Sequence, residues 1–182
     1  MIHVTQLLSA GILLSALSTS LCAQQSEAST PLEHTRTQFE FTVNAPLELA
    51  APLFGADRER VWAPEWNPQF LYPNPAHDQQ GMVFAVSHGE RTSTWVNTTF
   101  DLAGGHIQYA YVLAAAMVTT IDIRLARSGP AKTHVVVVYE RTALIAEANE
   151  HVQHFAANDA KAGKEWEELI NGYLAKQTGQ QK

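Results

Sequence analysis

The stretch NEHVQHFAANDAKAGKEWEELINGYLAK, residues 149–176, decides how the rest of the chain is read. It contains no proline, and Val152, Phe155, Ala156, Gly163, Trp166, Ile170, Tyr173 and Leu174 return at spacings of three and four. Glu150, Lys161, Lys164, Glu167 and Glu168 fall mostly elsewhere around the cylinder. This pattern predicts a long amphipathic helix, which needs an apolar surface to lie on. Fully burying each large side chain of the stripe is worth about 1.5–3 kcal/mol, more than helix propensity supplies, so the stripe dictates docking.

The surface it needs lies upstream. From Gly81 to Arg141 the sequence reads as successive antiparallel strands with turns at Gly89-Glu90, Gly104-Gly105 and Ser128-Gly129-Pro130. Met82, Phe84, Val86 and His88 share one face of the first; Ile107, Tyr109, Tyr111 and Leu113 share one face of a later strand; Ile121, Ile123 and Leu125 alternate with Thr120, Asp122 and Arg124. One side of this sheet is therefore apolar. Val135–Val138 is an unbroken valine run, which predicts a central strand covered on both faces. Residues 92–101 resist assignment, because Val96 and Phe100 share one face and Trp95 occupies the other. Before the meander, Phe39, Phe41 and Val43 alternate with Gln38, Glu40 and Thr42 as a half-buried strand. Asn44-Ala45-Pro46 is expected to stop that strand and open a helix, with Asn44 as cap and Pro46 in the first turn, and Pro52 keeps the helix short. A second short helical piece is expected at Arg58–Trp62. After it, Pro64, Pro68, Pro73 and Pro75 interleave with Trp66, Phe70 and Tyr72 as an aromatic loop or edge segment. The fold class is α+β: a curved antiparallel sheet of about seven strands wrapped on a long C-terminal helix, with two short helices after the first strand.

This order resembles the helix-grip fold of the SRPBCC superfamily, which includes START lipid-transfer domains, birch-pollen-type allergens and polyketide cyclases. Local residues carry the resemblance to a bacterial subgroup. They are Leu53-Phe54, Glu59 and Trp62 followed by Pro64 and Trp66, Phe70-Leu71-Tyr72-Pro73, Gly81 and Phe84, Thr94-Trp95-Val96, Tyr139 with Arg141-Thr142-Ala143-Leu144, and Trp166 with Tyr173-Leu174. The resemblance spans about residues 35–176 and implies a cavity between helix and sheet. The expected lining is Met82, Phe84, Val86, His88, Tyr109, Tyr111, Ile121 and Ile123, closed by Phe155 and Trp166, with Trp62, Trp66 and Tyr72 as candidates for a mouth. Tyrosines there offer apolar area with a hydroxyl that fixes one polar atom of a fatty, sterol-like or aromatic ligand.

Three functions follow: binding or carriage of a small hydrophobic molecule without catalysis; a polyketide cyclase- or dehydratase-like enzyme; or a stress or interaction protein whose interior is filled. His88, at the end of an apolar face, is the candidate for a general acid or base. His151 and His154 with Glu147 and Glu150 sit at helical spacings but do not form a His-Glu-x-x-His motif, so a solvated helix start is expected and no metal site. His106 reads as a turn residue, and Asp122–Arg124 and Glu140–Arg141 as surface charge pairs. Asn97-Thr98-Thr99 matches a glycosylation acceptor only formally. No Gly-x-Ser-x-Gly elbow or phosphate-cradling glycine loop occurs, and no cofactor is expected.

The chain has 182 residues, 46% of them hydrophobic, and a net charge of −6 without basic runs, which argues against nucleic acid as a partner. Its single cysteine, Cys22, excludes a Cys-x-x-Cys redox pair and a thiolate zinc cluster within one chain. Leu7–Leu21 is uncharged and apolar, too short to span a bilayer, and precedes the polar Gln24-Gln25. Residues 1–23 therefore read as a cleaved signal peptide, 24–34 as a flexible lead-in, 35–177 as the ligand-binding domain and 178–182 as a disordered tail. A periplasmic or secreted location follows, with no transmembrane segment in the mature chain. Leu21 before Cys22 disfavours a lipid anchor.

Overall fold

A computed structural model describes residues 30–179. The expected signal peptide, residues 24–29 of the lead-in and residues 180–182 lie outside the described residues. Seven strands form one antiparallel sheet: β1 (His34–Val43), β2 (Gln69–Tyr72), β3 (Val83–His88), β4 (Arg91–Asp101), β5 (His106–Leu113), β6 (Met117–Arg127) and β7 (Thr133–Ala143). Their order is β1-β7-β6-β5-β4-β3-β2, so β2 to β7 form a meander and β1 lies beside β7. Period-two alternation places Phe39, Phe41, Phe84, Val86, Ile107, Tyr109, Ile121, Ile123, Val135 and Val137 in one buried core.

Two strands depart from the sequence reading. β7 is bonded on both edges, but Val136 and Val138 are only half-buried, because the outer face is roofed by polar side chains such as Arg36, Thr120 and Glu140 rather than by a second layer. In β4 the register shifts between Asn97 and Thr99. The extra residue lets both Trp95 and Phe100 join the core although their spacing is odd, while Val96 is exposed. Asn97 is buried, which removes it as a glycosylation acceptor in the folded chain.

Between β1 and β2, α1 (Leu47–Ala50) passes into a 3-10 turn at Ala51–Phe54, with Pro52 at the start of the turn, and a second 3-10 turn follows at Arg58–Val61. Asn44 does not cap α1. Pro46 holds the cap position, its carbonyl accepting from the Leu49 and Ala50 amides, while the Asn44 amide donates to Asn171 at 2.8 Å.

α2 (Asn149–Gly179) lies along β1 and completes the edge of that strand. Glu167 accepts from the Thr42 amide at 3.1 Å and Asn171 donates to the Thr42 carbonyl at 2.9 Å. Close approach needs Gly163, where a Cβ would stand 2.5 Å from the Phe39 ring. Near the helix start, Asn149 accepts from the Glu33 amide and donates to the Pro31 carbonyl, and the Glu33 carbonyl accepts from the Ala143 amide. The last residues of the expected lead-in are thus tied to the body of the fold. No helix among the described residues is long and apolar enough to cross a membrane.

Candidate functional site

The segment between β1 and β2 is held by two of its own indoles and, from outside it, by Tyr109 and Asp78. The Trp62 indole donates to the Leu53 carbonyl and the Trp66 indole to the Ala56 carbonyl, both at 2.7 Å. The Tyr109 hydroxyl rises from β5 to donate to the Phe54 carbonyl at 2.8 Å. Asp78 accepts from the Asp57 and Arg58 amides at 2.8 and 3.0 Å, satisfying the free donors at the start of the second 3-10 turn. Gly55 is required there because any Cβ would fall 2.3 Å from the Asp78 carboxyl.

Below this segment lies an inner chamber of about 220 Å³ lined by Glu59, Trp66, Phe84, Trp95, Tyr109, Ile121, Ile123, Tyr139 and Trp166. An outer cleft of about 520 Å³ is lined by Glu59, Trp62, Pro64, Glu65, Trp66, Val86, Ser87, Glu165, Trp166 and Leu169, among others. Glu59, Trp66 and Trp166 line both and mark the neck. All four tryptophans of the chain border one space or the other. Their rings are mutually braced: Trp66 meets Trp95 edge-on at 5.7 Å, and Trp95 stacks on Phe84 at 5.5 Å and on Tyr111 at 4.1 Å.

Of the residues expected to bind ligand, Phe84, Tyr109, Ile121, Ile123 and Trp166 line the inner chamber and Val86 lines the cleft. Tyr111 stands behind Trp95. Phe155 is 41% exposed and packs by the Arg141 guanidinium, 5.7 Å from its ring, rather than over the sheet. His88 is the last residue of β3, paired in register with Arg91; its side chain lies outside what the structure describes. At the mouth, Trp62 and Trp66 are present, whereas Tyr72 is 56% exposed on β2.

A residue with no expected role, Glu59, stands out chemically. Protein surrounds Glu59, and the surface it retains faces the chamber and cleft. Its carboxyl has no hydrogen-bond or ion-pair partner among the described residues. Desolvation, with the nearby Asp78 charge second, pushes its pKa from 4.5 to about 8. Near neutral pH the group is therefore mostly protonated, a donor facing an aromatic space. Tyr109 and Tyr139 are also pushed up, in both cases chiefly by burial. A signal existed: Glu59, Trp62 and Trp66 stand three and four residues apart, the spacing of one helical face.

Other charged positions also moved. Arg141 does not pair with Glu140, which binds Arg36 at 3.1 Å. Instead Arg141 points inward and makes a two-pronged pair with Asp159 of α2, at 2.7 and 2.8 Å. Thr37 also donates to Asp159. His106 opens β5 and lies 2.8 Å from Asp122, which also binds Arg124 at 2.7 Å. Among the described residues no cluster could hold a metal ion.

No family model matches the chain, and no curated protein does. Solved structures do match in shape. Norcoclaurine synthase from Thalictrum flavum, in complex with dopamine and hydroxybenzaldehyde, aligns over 92% of this chain and 98% of its own at 12% identity, with a TM-score of 0.57. Ara h 8.0201 aligns over 79% of this chain and 99% of its own at 13% identity, TM-score 0.55. An uncharacterised protein from Rhizobium leguminosarum aligns over 80% and 97% at 10% identity, TM-score 0.54. The fold is thus the helix-grip fold, a seven-stranded antiparallel sheet grasping a C-terminal helix.

Proposed function

We propose that the protein binds a small, largely apolar molecule in the inner chamber, with one polar atom held at Glu59. The observation that carries this reading is a partly vacant space of about 220 Å³ walled by aromatic rings and holding an unpartnered carboxyl. Apolar cavities of about 150 Å³ hold benzene, while drug-sized ligands use about 300–1,000 Å³. The volume therefore favours a single-ring compound over a sterol, with any further substituent in the cleft. Dopamine and hydroxybenzaldehyde, bound by norcoclaurine synthase, have this size. Tryptophans around the chamber supply an internal probe. Titrating small aromatics and short fatty compounds should quench or shift the intrinsic fluorescence with saturation; a flat response across the panel contradicts the reading.

The enzymatic alternative draws support from Glu59 rather than from His88, because a carboxyl titrating near working pH suits general acid–base chemistry on a carbonyl or enol. Turnover of such a substrate that collapses in Glu59→Gln is the expected sign of it, and rates equal to wild type would remove the reading. For location, we propose that residues 1–23 direct export and are removed. Intact mass of chain isolated from its own cells should correspond to a start at Gln24; a retained Met1 would contradict it.

A further inference from the structure

We infer that the molecule seated in the chamber is a protonated amine carrying one aromatic ring, its ammonium group at Glu59 in the neck formed with Trp66 and Trp166. This deepens the binding reading above and rests on it. The first observation is the sign of the entrance. Among the described side chains, Glu65 and Glu165 line the outer cleft beside Glu59, and no Lys, Arg or His does. A carboxylate or phosphate ligand would approach against like charge, whereas a cation is drawn inward. The second is the neck itself. Trp62 and Trp166 meet edge-on at 5.8 Å, and Trp66 and Trp166 border both spaces together with Glu59. Indole rings lining the same neck as a carboxyl suit an ammonium group, which the negative face of an aromatic ring attracts.

The third observation is that no cation among the described side chains pairs with Glu59. Arg60 is held by Asp57 at 3.3 Å and lies over the Phe70 ring, and Arg141 is committed to Asp159. The Asp78 charge, from the loop before β3, reaches Glu59, and at the chamber wall Tyr139 of β7 feels Arg141, whose guanidinium lies 4.2 Å from its ring, together with Glu59 and Asp159. Glu165 comes from α2 and Glu65 from the segment before β2. An incoming ammonium is the missing countercharge. Its arrival favours the carboxylate form, so Glu59 loses its proton to solvent as the amine binds. A neutral ligand leaves that proton in place.

The test uses benzylamine, benzyl alcohol, toluene and benzoate, which share a ring and differ in charge. Isothermal titration on the full protein should give benzylamine at least about tenfold tighter binding than benzyl alcohol, with benzoate weakest. Repeating the benzylamine titration at pH 7 in buffers of different ionisation enthalpy should show release of close to one proton per ligand, and benzyl alcohol about none. Glu59→Gln, checked for folding by circular dichroism, should bring the benzylamine and benzyl alcohol affinities within about threefold of each other. Glu65→Gln with Glu165→Gln should slow benzylamine association and flatten its salt dependence. Benzyl alcohol or toluene binding as tightly as benzylamine, no proton release, or an undiminished amine preference in Glu59→Gln would overturn the amine inference while leaving the chamber reading standing. Failure of all four compounds to bind would remove both.

Discussion

Two carboxyl groups, Asp159 buried between helix and sheet and Glu59 half-buried at the neck of the chamber, are treated oppositely by the protein. Asp159, on α2, receives two hydrogen bonds from Arg141 and one from Thr37. Glu59, on the second 3-10 turn, receives none among the described residues and faces the chamber. A buried charge met by a complete set of donors ties elements together. One left without a partner is destabilising unless something else requires it. The contrast separates a fastening from a site: Asp159 joins the middle of α2 to β1 and β7, and Glu59 waits at the neck of a chamber.

The largest effect should come from breaking the fastening. Asp159→Ala leaves the Arg141 guanidinium, with only 4% of its side chain exposed, buried without its partner, and should lower unfolding free energy by about 3–5 kcal/mol in urea titrations. Replacing both members together, Arg141→Met with Asp159→Leu, should recover much of that loss. A single-variant loss below about 1 kcal/mol would show that the pair holds nothing.

Glu59 should behave in the reverse sense. Its folded pKa of about 8 stands above the ordinary 4.5, so between these values the folded state keeps a proton that the unfolded state has lost. Stability must therefore fall as pH rises through this window, with the full penalty present above about pH 8. Glu59→Gln removes the penalty. The variant should match wild type near pH 4.5 and exceed it by a few kcal/mol above pH 8, measured by denaturant unfolding at each pH. Parallel curves would mean that Glu59 is as well solvated as a surface carboxyl.

A smaller effect sharpens the site side of the comparison. Ile121→Phe places extra volume in the chamber wall and should weaken binding of a single-ring ligand more than about tenfold, a loss of about 1.4 kcal/mol, with little change in the unfolding midpoint. Smallest of all is Phe155→Ala. Since Phe155 is 41% exposed and away from both spaces, it should cost less than about 1 kcal/mol and leave ligand titrations as they were. A large binding loss there would restore Phe155 to the chamber.

What was legible in the sequence followed from regular periods. The alternation of Ile107, Tyr109 and Tyr111 and the stripe through Val152, Gly163, Trp166 and Ile170 identified the sheet face and the helix that covers it. The same periods held information that chemical habit obscured. Arg141 shares parity with Val135, Val137 and Tyr139, and Asp159 falls seven residues after Val152 and four before Gly163 in the buried stripe. Both were thus in inward register, although charged residues are expected outside. Trp95 and Phe100 could not be reconciled because a bulge breaks the period between them. Glu59 was the hardest to read. Its spacing to Trp62 and Trp66 marked a shared face, but where that face points depends on 3-10 turns held from outside the segment by Tyr109 and Asp78, contacts that the local spacing does not announce.

A crystal of the full protein soaked with benzylamine would test the chamber most directly. Density for the ring among Trp66, Trp95, Phe84 and Trp166, with its nitrogen within hydrogen-bond distance of the Glu59 carboxyl, is the predicted result. A chamber closed by its own side chains, or a ligand found only on the outer surface, would contradict it.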